Sequence, residues 1–205
     1  MAALGTNILD VNRRFKLEAC TLGGKRGNNG NCNLQNRDDG LALQCVGEWA
    51  RDKHYYLERY INATRQVRAK FLPPKGIGGA AFIDLFGGPG RCCVRGARPE
   101  IIYGSPLIAL RHEEAPFTRV VVCDLDRENV EALRERTQGF GARARIIEGN
   151  CNLVIDQIVD QIPAEGLNIA LIDPFAASEL NFDATISRLA RFKRMDLIIH
   201  CPRWI

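Results

Sequence analysis

From residue 46 onward the apolar positions fall into a regular pattern. Trp49, Lys53, Leu57, Tyr60, Thr64, Val67 and Phe71 recur at spacings of four and three, which predicts one face of a long helix. PPKG at 73–76 ends it, because proline cannot continue the backbone ladder. Short apolar runs then alternate with amphipathic segments. Strands are predicted at 80–86, 119–124, 144–148, 168–173 and 196–200. Helices are predicted from Ser105-Pro106 (a serine cap with proline at the first helical position), at 127–137, at 152–161, and from Asn181 or Phe182 to Lys193. The runs VVV, ARII, NIALI and LIIH are nearly continuous hydrophobics, as strands buried on both faces should be. The alternation implies an α/β, Rossmann-like fold of five parallel strands with helices on both sides.

Residues 1–45 lack this pattern. GGKRGNNGNCNLQNRDDG is a glycine- and asparagine-rich loop signature, so the expected organisation is a poorly ordered segment 1–45 followed by one domain, 46–205. The chain has no apolar run near the roughly 20 residues of a membrane span, and its N-terminus has no apolar secretion core. A cytoplasmic protein is expected, with its eight cysteines as reduced thiols. None is paired in C-x-x-C spacing, so no metal centre is expected. The net charge of +4 is unevenly spread, with Arg51, Lys53, Arg59, Arg65, Arg68, Lys70 and Lys75 against Asp52 and Glu58. Such a bias is either a solvated helix face or a means of steering a nucleic acid.

In an open α/β sheet ligands bind beyond the carboxyl ends of the strands, so the residues there carry the functional argument. The first strand delivers Asp84, then Gly87, Gly88, Pro89 and Gly90. The second delivers Asp124 and Asp126, the third Gly149 and Asn150, the fourth Asp173-Pro174-Phe175, and the fifth His200. A dinucleotide site wants G-x-G-x-x-G, but Cys93 occupies the third glycine's place. An acid ahead of the glycines also repels a polyphosphate and suits a ligand with a cationic centre. S-adenosylmethionine is such a ligand, a nucleoside bearing a sulfonium and an amino-acid tail. The expected cofactor-binding set is Asp84 toward the ammonium end, the backbone at Gly87, Gly88 and Gly90, Asp124 on the ribose hydroxyls, Leu125 against the adenine and Asn150 on its edge. Asp126, just before RENVEAL, reads instead as a helix cap. Asp173, Pro174 and Phe175 are the catalytic candidates: a carboxylate, a rigid turn and a flat stacking face, able to orient an exocyclic amine toward the sulfonium. Lys53 interrupts an apolar stripe, and the ordinary outcome is a buried stem with its ammonium in water. The alternative is contact with the cofactor carboxylate.

FIDLFGGPG, VCDLD, EGN and IDPF, in that order on those strand ends, resemble motifs I to IV of the class I S-adenosylmethionine-dependent methyltransferases. VGEWARDKHYYLERYI, FIDLFGGPGRC, YGSPLIAL, EGNCN, LIDPF and DLIIH together resemble the three-Cys-motif partner proteins, a bacterial and phage-associated branch with a methyltransferase-like domain. The resemblance implies S-adenosyl-L-methionine as cofactor and a partner that carries the three-cysteine motif. The cysteines of this chain are not that motif. Asn150 stands where the family has an acid, and Asp173-Pro174-Phe175 lacks the second proline of the amino-methyltransferase turn. The chain also ends at CPRWI directly after the fifth strand, where the family's sheet has two more strands, so a truncated sheet with an exposed edge at 196–200 is expected. Two functions follow: methylation of an amino group on a nucleic acid base, or a catalytically degenerate binding module for a three-Cys-motif protein.

Overall fold

The computed structural model describes residues 25–26, 32–95 and 98–200. Two five-stranded sheets organise them. The larger consists of β4 (Ala80–Asp84), β7 (Arg119–Asp124), β8 (Ala144–Glu148), β9 (Leu167–Ile172) and β10 (Met195–Ile199), in the order β10-β9-β4-β7-β8. Every pairing in it is parallel. The fold is therefore the α/β parallel sheet that the hydrophobic pattern predicts.

Strand alternation distributes the core between the two faces of this sheet. Phe82, Val120, Val122, Ile169 and Leu171 pack on one side with Leu57, Ile61, Leu107, Leu110 and Leu133 from the helices and Phe117 from the loop before β7. Ile83, Val121, Cys123, Ala170 and Ile172 pack on the other with Ile155, Ile158 and Leu189. Each face is thus closed by helices, which explains the unbroken apolar runs.

The second sheet runs β1 (Lys25–Arg26), β2 (Cys32–Gln35), β3 (Ala42–Val46), β5 (Arg91–Val94) and β6 (Glu100–Tyr103), in the order β1-β2-β3-β5-β6. The expectation of little order before residue 45 fails for residues 32–45, which carry β2 and most of β3. The short strand β3 gains its order from a distant partner, since it pairs in parallel with β5 through Gln44–Cys92, Cys45–Cys93 and Val46–Val94. Residues 1–24, 27–31, 96–97 and 201–205, with the chain's final CPRWI, lie outside the described residues.

Several expectations need correction. The first helix, Trp49–Ala63, turns Ala50, His54, Leu57 and Ile61 inward, while Trp49 and Tyr60 of the predicted stripe are exposed. A polar residue, Arg68, is fully buried beyond it, because its guanidinium donates to the Ile61, Ala115 and Glu114 carbonyls and to the Thr64 hydroxyl, and lies over the Phe117 ring. Ser105 is not a cap: Gly104 occupies that position, and Ser105 opens the helix Ser105–Arg111 with its side chain buried. The predicted helix at 152–161 narrows to Ile155–Val159, after a turn in which the Leu153 and Val154 amides both donate to the Asn150 carbonyl. The last helix is shorter too, a π-helical turn Phe182–Ile186 capped by Asn181 and followed by Ser187–Leu189. By contrast, Arg127–Thr137 forms as its pattern predicts, with Asp126 capping it through the Glu128 amide at 2.9 Å.

Candidate functional site at the strand ends

The strand order fixes where a site belongs. From β4 the chain builds outward through β7 and β8, then crosses to the opposite edge for β9 and β10. The order reverses between β4 and β9, and such reversals leave a crevice at the carboxyl ends. Asp84 ends β4 and Asp173 follows β9 at this position.

Asp84 is fully buried. Its Oδ1 accepts from the Phe86 amide at 3.1 Å, whereas Oδ2 has no partner in hydrogen-bond geometry among the described residues, with the Ser105 side chain close enough to hold the carboxyl's pKa down. Burial pushes its pKa up to about 6, against the opposing influences of Ser105, the Phe86 amide and the Lys53 charge. An acceptor buried without a donor costs roughly 1–3 kcal/mol, more if charged.

Asp173 is held differently. Lys53 Nζ pairs with Oδ2, and His200 Nδ1 lies 2.7 Å from Oδ1. The His200 ring stacks on Trp49 with centroids 6.0 Å apart, and the Lys53 ammonium lies 5.0 Å from the centre of the same indole. Lys53 therefore does not extend into water: its charge is spent on Asp173, beside Asp84. His54, next along the helix, is buried, and desolvation together with the Lys53 charge lowers its pKa to about 4. It is neutral at ordinary pH. Sequence reasoning placed His200 at the fifth strand end but did not join it to Trp49, Lys53 and Asp173. The i, i+4 spacing of Trp49 and Lys53 was the available signal.

The β7 side is satisfied from within. Asp124 Oδ2 accepts from the Gly88 amide at 2.7 Å, and Oδ1 accepts from the Asp126 amide at 2.9 Å and Asn129 Nδ2 at 3.1 Å. A carboxylate offers about four acceptor positions. Asp124 thus has room for one further donor, not both hydroxyls of a ribose. Gly149 N donates to the Asp124 carbonyl at 2.9 Å, which brings the third strand end alongside. Asn150 is exposed and its Oδ1 accepts from the Asn152 amide at 3.0 Å.

The glycine loop is also covered by the chain itself. A Cβ on Gly87 would meet Val122 at 2.0 Å, one on Gly88 would meet Gln44 of β3 at 2.9 Å, and one on Gly90 would meet Leu133 at 2.8 Å. Gly88 and Gly90 have φ of 60° and 84°, which other residues adopt only with strain. These glycines serve a tight turn packed beneath the second sheet. After the loop, β5 and β6 form a hairpin whose end returns to its start, with Gly104 N donating to Gly90 O at 2.8 Å. The next helix begins at Ser105.

Around this floor the strand ends expose an apolar rim. Leu125 is 71% exposed, Leu153 82% and Phe175 69%. Phe175 is no core residue: its amide donates to Glu179 Oε2 at 3.0 Å and its ring faces outward.

No family model matches the chain, and no curated protein matches it. Solved structures similar to it include "Putative methyltransferase yhhF from Escherichia coli", at 16% identity and a TM-score of 0.41, covering 67% of this chain and 61% of that one. A methyltransferase from Geobacter sulfurreducens is similar at 18% identity and a TM-score of 0.39, covering 69% of this chain and 58% of that one. The chain thus spans about three fifths of the length of each.

Proposed function

We propose that this chain is an S-adenosylmethionine-binding, methyltransferase-like protein whose acceptor is an exocyclic amine of a nucleic acid base. The observation that carries the reading is the orphaned Asp84 Oδ2, buried at the reversal of strand order. That position suits the ammonium of an amino-acid tail, which supplies both the donor and the compensating charge. The residues present fit the cofactor there. They fit its ribose less well, because Asp124 has three of its acceptor positions filled.

Bound at this crevice, the cofactor would supply an electrophilic methyl group on sulfur. The rest falls to the chain. Asp84 anchors the tail. Asp173 retains two acceptor positions beyond those used by His200 and Lys53, so it can accept from an incoming amine while its partners fix its direction. Phe175 presents an exposed ring on which a base can stack, next to the rigid Pro174. Rate then comes from holding the amine and the methyl group in line rather than from acid–base chemistry.

A second reading has its own support. The covered glycine loop and the committed Asp124 favour a binding module without catalysis, docking a three-Cys-motif protein on the rim formed by Leu125, Leu153 and Phe175. Calorimetric titration with S-adenosylmethionine and its demethylated product, followed by methyl-transfer assays on pooled nucleic acids, separates the two. Binding that Asp84→Asn abolishes, with transfer that Phe175→Ala reduces tenfold or more, supports the enzyme. Binding without transfer supports the module. Absence of heat with either compound rejects both uses of the cofactor.

A further inference from the structure

A second cavity, of about 460 Å³, lies between the β5–β6 hairpin, the loop before β3 and the helices Ser105–Arg111 and Arg127–Thr137. It shares no residue with the strand-end cluster. Its lining joins three guanidinium groups, Arg91, Arg111 and Arg136, and two carboxylates, Asp39 and Glu135, to Tyr103 and the apolar surfaces of Leu41, Leu107 and Phe140, so the cations outnumber the acids by one.

The three cations are not equivalent. Arg136 is committed: Nε and Nη2 grip Asp39 at 3.0 and 2.9 Å, and Nη1 donates to the Ala42 and Pro89 carbonyls at 2.7 Å each. Arg91 has only a share in the same carboxylate, through Nη1 at 3.5 Å, and its Nε–H is buried with no acceptor among the described residues. Arg111 is exposed and has no carboxylate partner among the described residues. Its guanidinium lies over the Tyr103 ring at 4.7 Å, and Arg91 sits 5.9 Å from that ring's centre. Tyr103 therefore holds two arginines in place while neutralising neither. The result is a preorganised pair of fork-shaped donors above an apolar floor, the arrangement that recognises a planar or tetrahedral oxyanion carried on an apolar body.

We propose that this cavity binds a phosphate monoester joined to a flat ring system, the chemistry of a nucleoside 5′-monophosphate, with the phosphate between Arg91 and Arg111 and a ring face against Leu107 and Phe140. A free mononucleotide and the 5′-phosphorylated end of a strand share this chemistry. The site is independent of the methyltransferase reading.

Titration of the full chain with AMP, with adenosine, and with a single-stranded DNA decamer carrying either a 5′-phosphate or a 5′-hydroxyl tests it. AMP is expected to bind more tightly than adenosine, and Arg111→Gln to lessen that difference. Arg111→Gln should weaken AMP about tenfold or more, the loss of one charge-assisted contact, and that exposed position at a helix end leaves folding intact. Asp84→Asn should leave AMP affinity unchanged, which separates this site from the strand-end crevice. If the phosphorylated decamer also binds and the hydroxyl decamer does not, the ligand is a strand end; if only AMP binds, it is a free nucleotide. No binding of either phosphate, binding that ignores the phosphate, or equal affinity in wild type and Arg111→Gln overturns the assignment.

Discussion

Two carboxylates that end neighbouring strands, Asp84 on β4 and Asp124 on β7, meet opposite fates. Their strands pair directly, with Asp84 opposite Val122, so they share one end of one sheet. Asp124 is filled by three donors, two of them backbone amides, and fastens the glycine loop to β7. Asp84 is more deeply buried, yet keeps an oxygen without a hydrogen-bond partner among the described residues. Burial raises the pKa of both. The difference teaches that a polar strand end is not in itself a site. The chain itself binds Asp124 into the scaffold, whereas it leaves Asp84 Oδ2 without a donor among the described residues.

The largest effect that would sharpen this contrast is expected from Asp124→Ala. It strands the Gly88 amide and loosens the loop, and should cost roughly 2–4 kcal/mol in denaturant unfolding. A loss under about 0.5 kcal/mol would make Asp124 dispensable to the scaffold and break the comparison.

Asp84→Asn should act in the opposite direction. The wild-type carboxyl titrates at about 6 when folded against an ordinary 3.8, so between those values the folded chain holds the extra proton. Stability contributed by this group therefore falls as pH rises from 3.8 to about 6, and the deficit persists above. Removing the charge should stabilise the ligand-free protein at pH 7 by on the order of 1–3 kcal/mol and flatten that part of the pH profile. Thermal unfolding of both proteins between pH 4 and 7 checks the sign. Destabilisation at pH 7 would mean that Asp84 is scaffold after all.

A smaller effect comes from Asp39, which Arg136 holds down at about 2. Its contribution is present above the ordinary 3.8 and is lost as pH falls through about 2. Asp39→Asn should remove on the order of 1 kcal/mol at pH 7 and blunt the acid-side loss, read from unfolding curves between pH 2 and 5. This pair ties the turn before β3 to the helix Arg127–Thr137, so an unchanged acid limb would show that the Asp39 charge adds nothing to the bonds Arg136 makes to the Ala42 and Pro89 carbonyls.

The parallel sheet was legible in the sequence because its strands are long enough to show continuous apolar runs: β7, β8 and the helix Arg127–Thr137 fall where the pattern puts them. The second sheet was not. RCCV and EIIY are four residues each, and the partner of β5 lies far upstream at 42–46, so no local period exposes them. The glycines alone do not decide a site, for a related reason. A missing Cβ reads the same whether the space serves a ligand or a neighbouring side chain, and Val122, Gln44 and Leu133 fill it here. Asp84, Asp124 and Asp173 were all visible as strand-end acids. What distinguishes them is the set of donors that folding brings to each, Gly88 and Asn129 in one case, Lys53 and His200 in another, and those pairings span up to 120 residues.

The most direct test is carbon-detected NMR titration of the Asp84 carboxyl, with and without saturating S-adenosylmethionine. In the free protein it should titrate near 6, and the bound ammonium should draw it well below that value. A carboxyl that titrates at the same pH in both states would contradict the account, because the cation would then lie elsewhere.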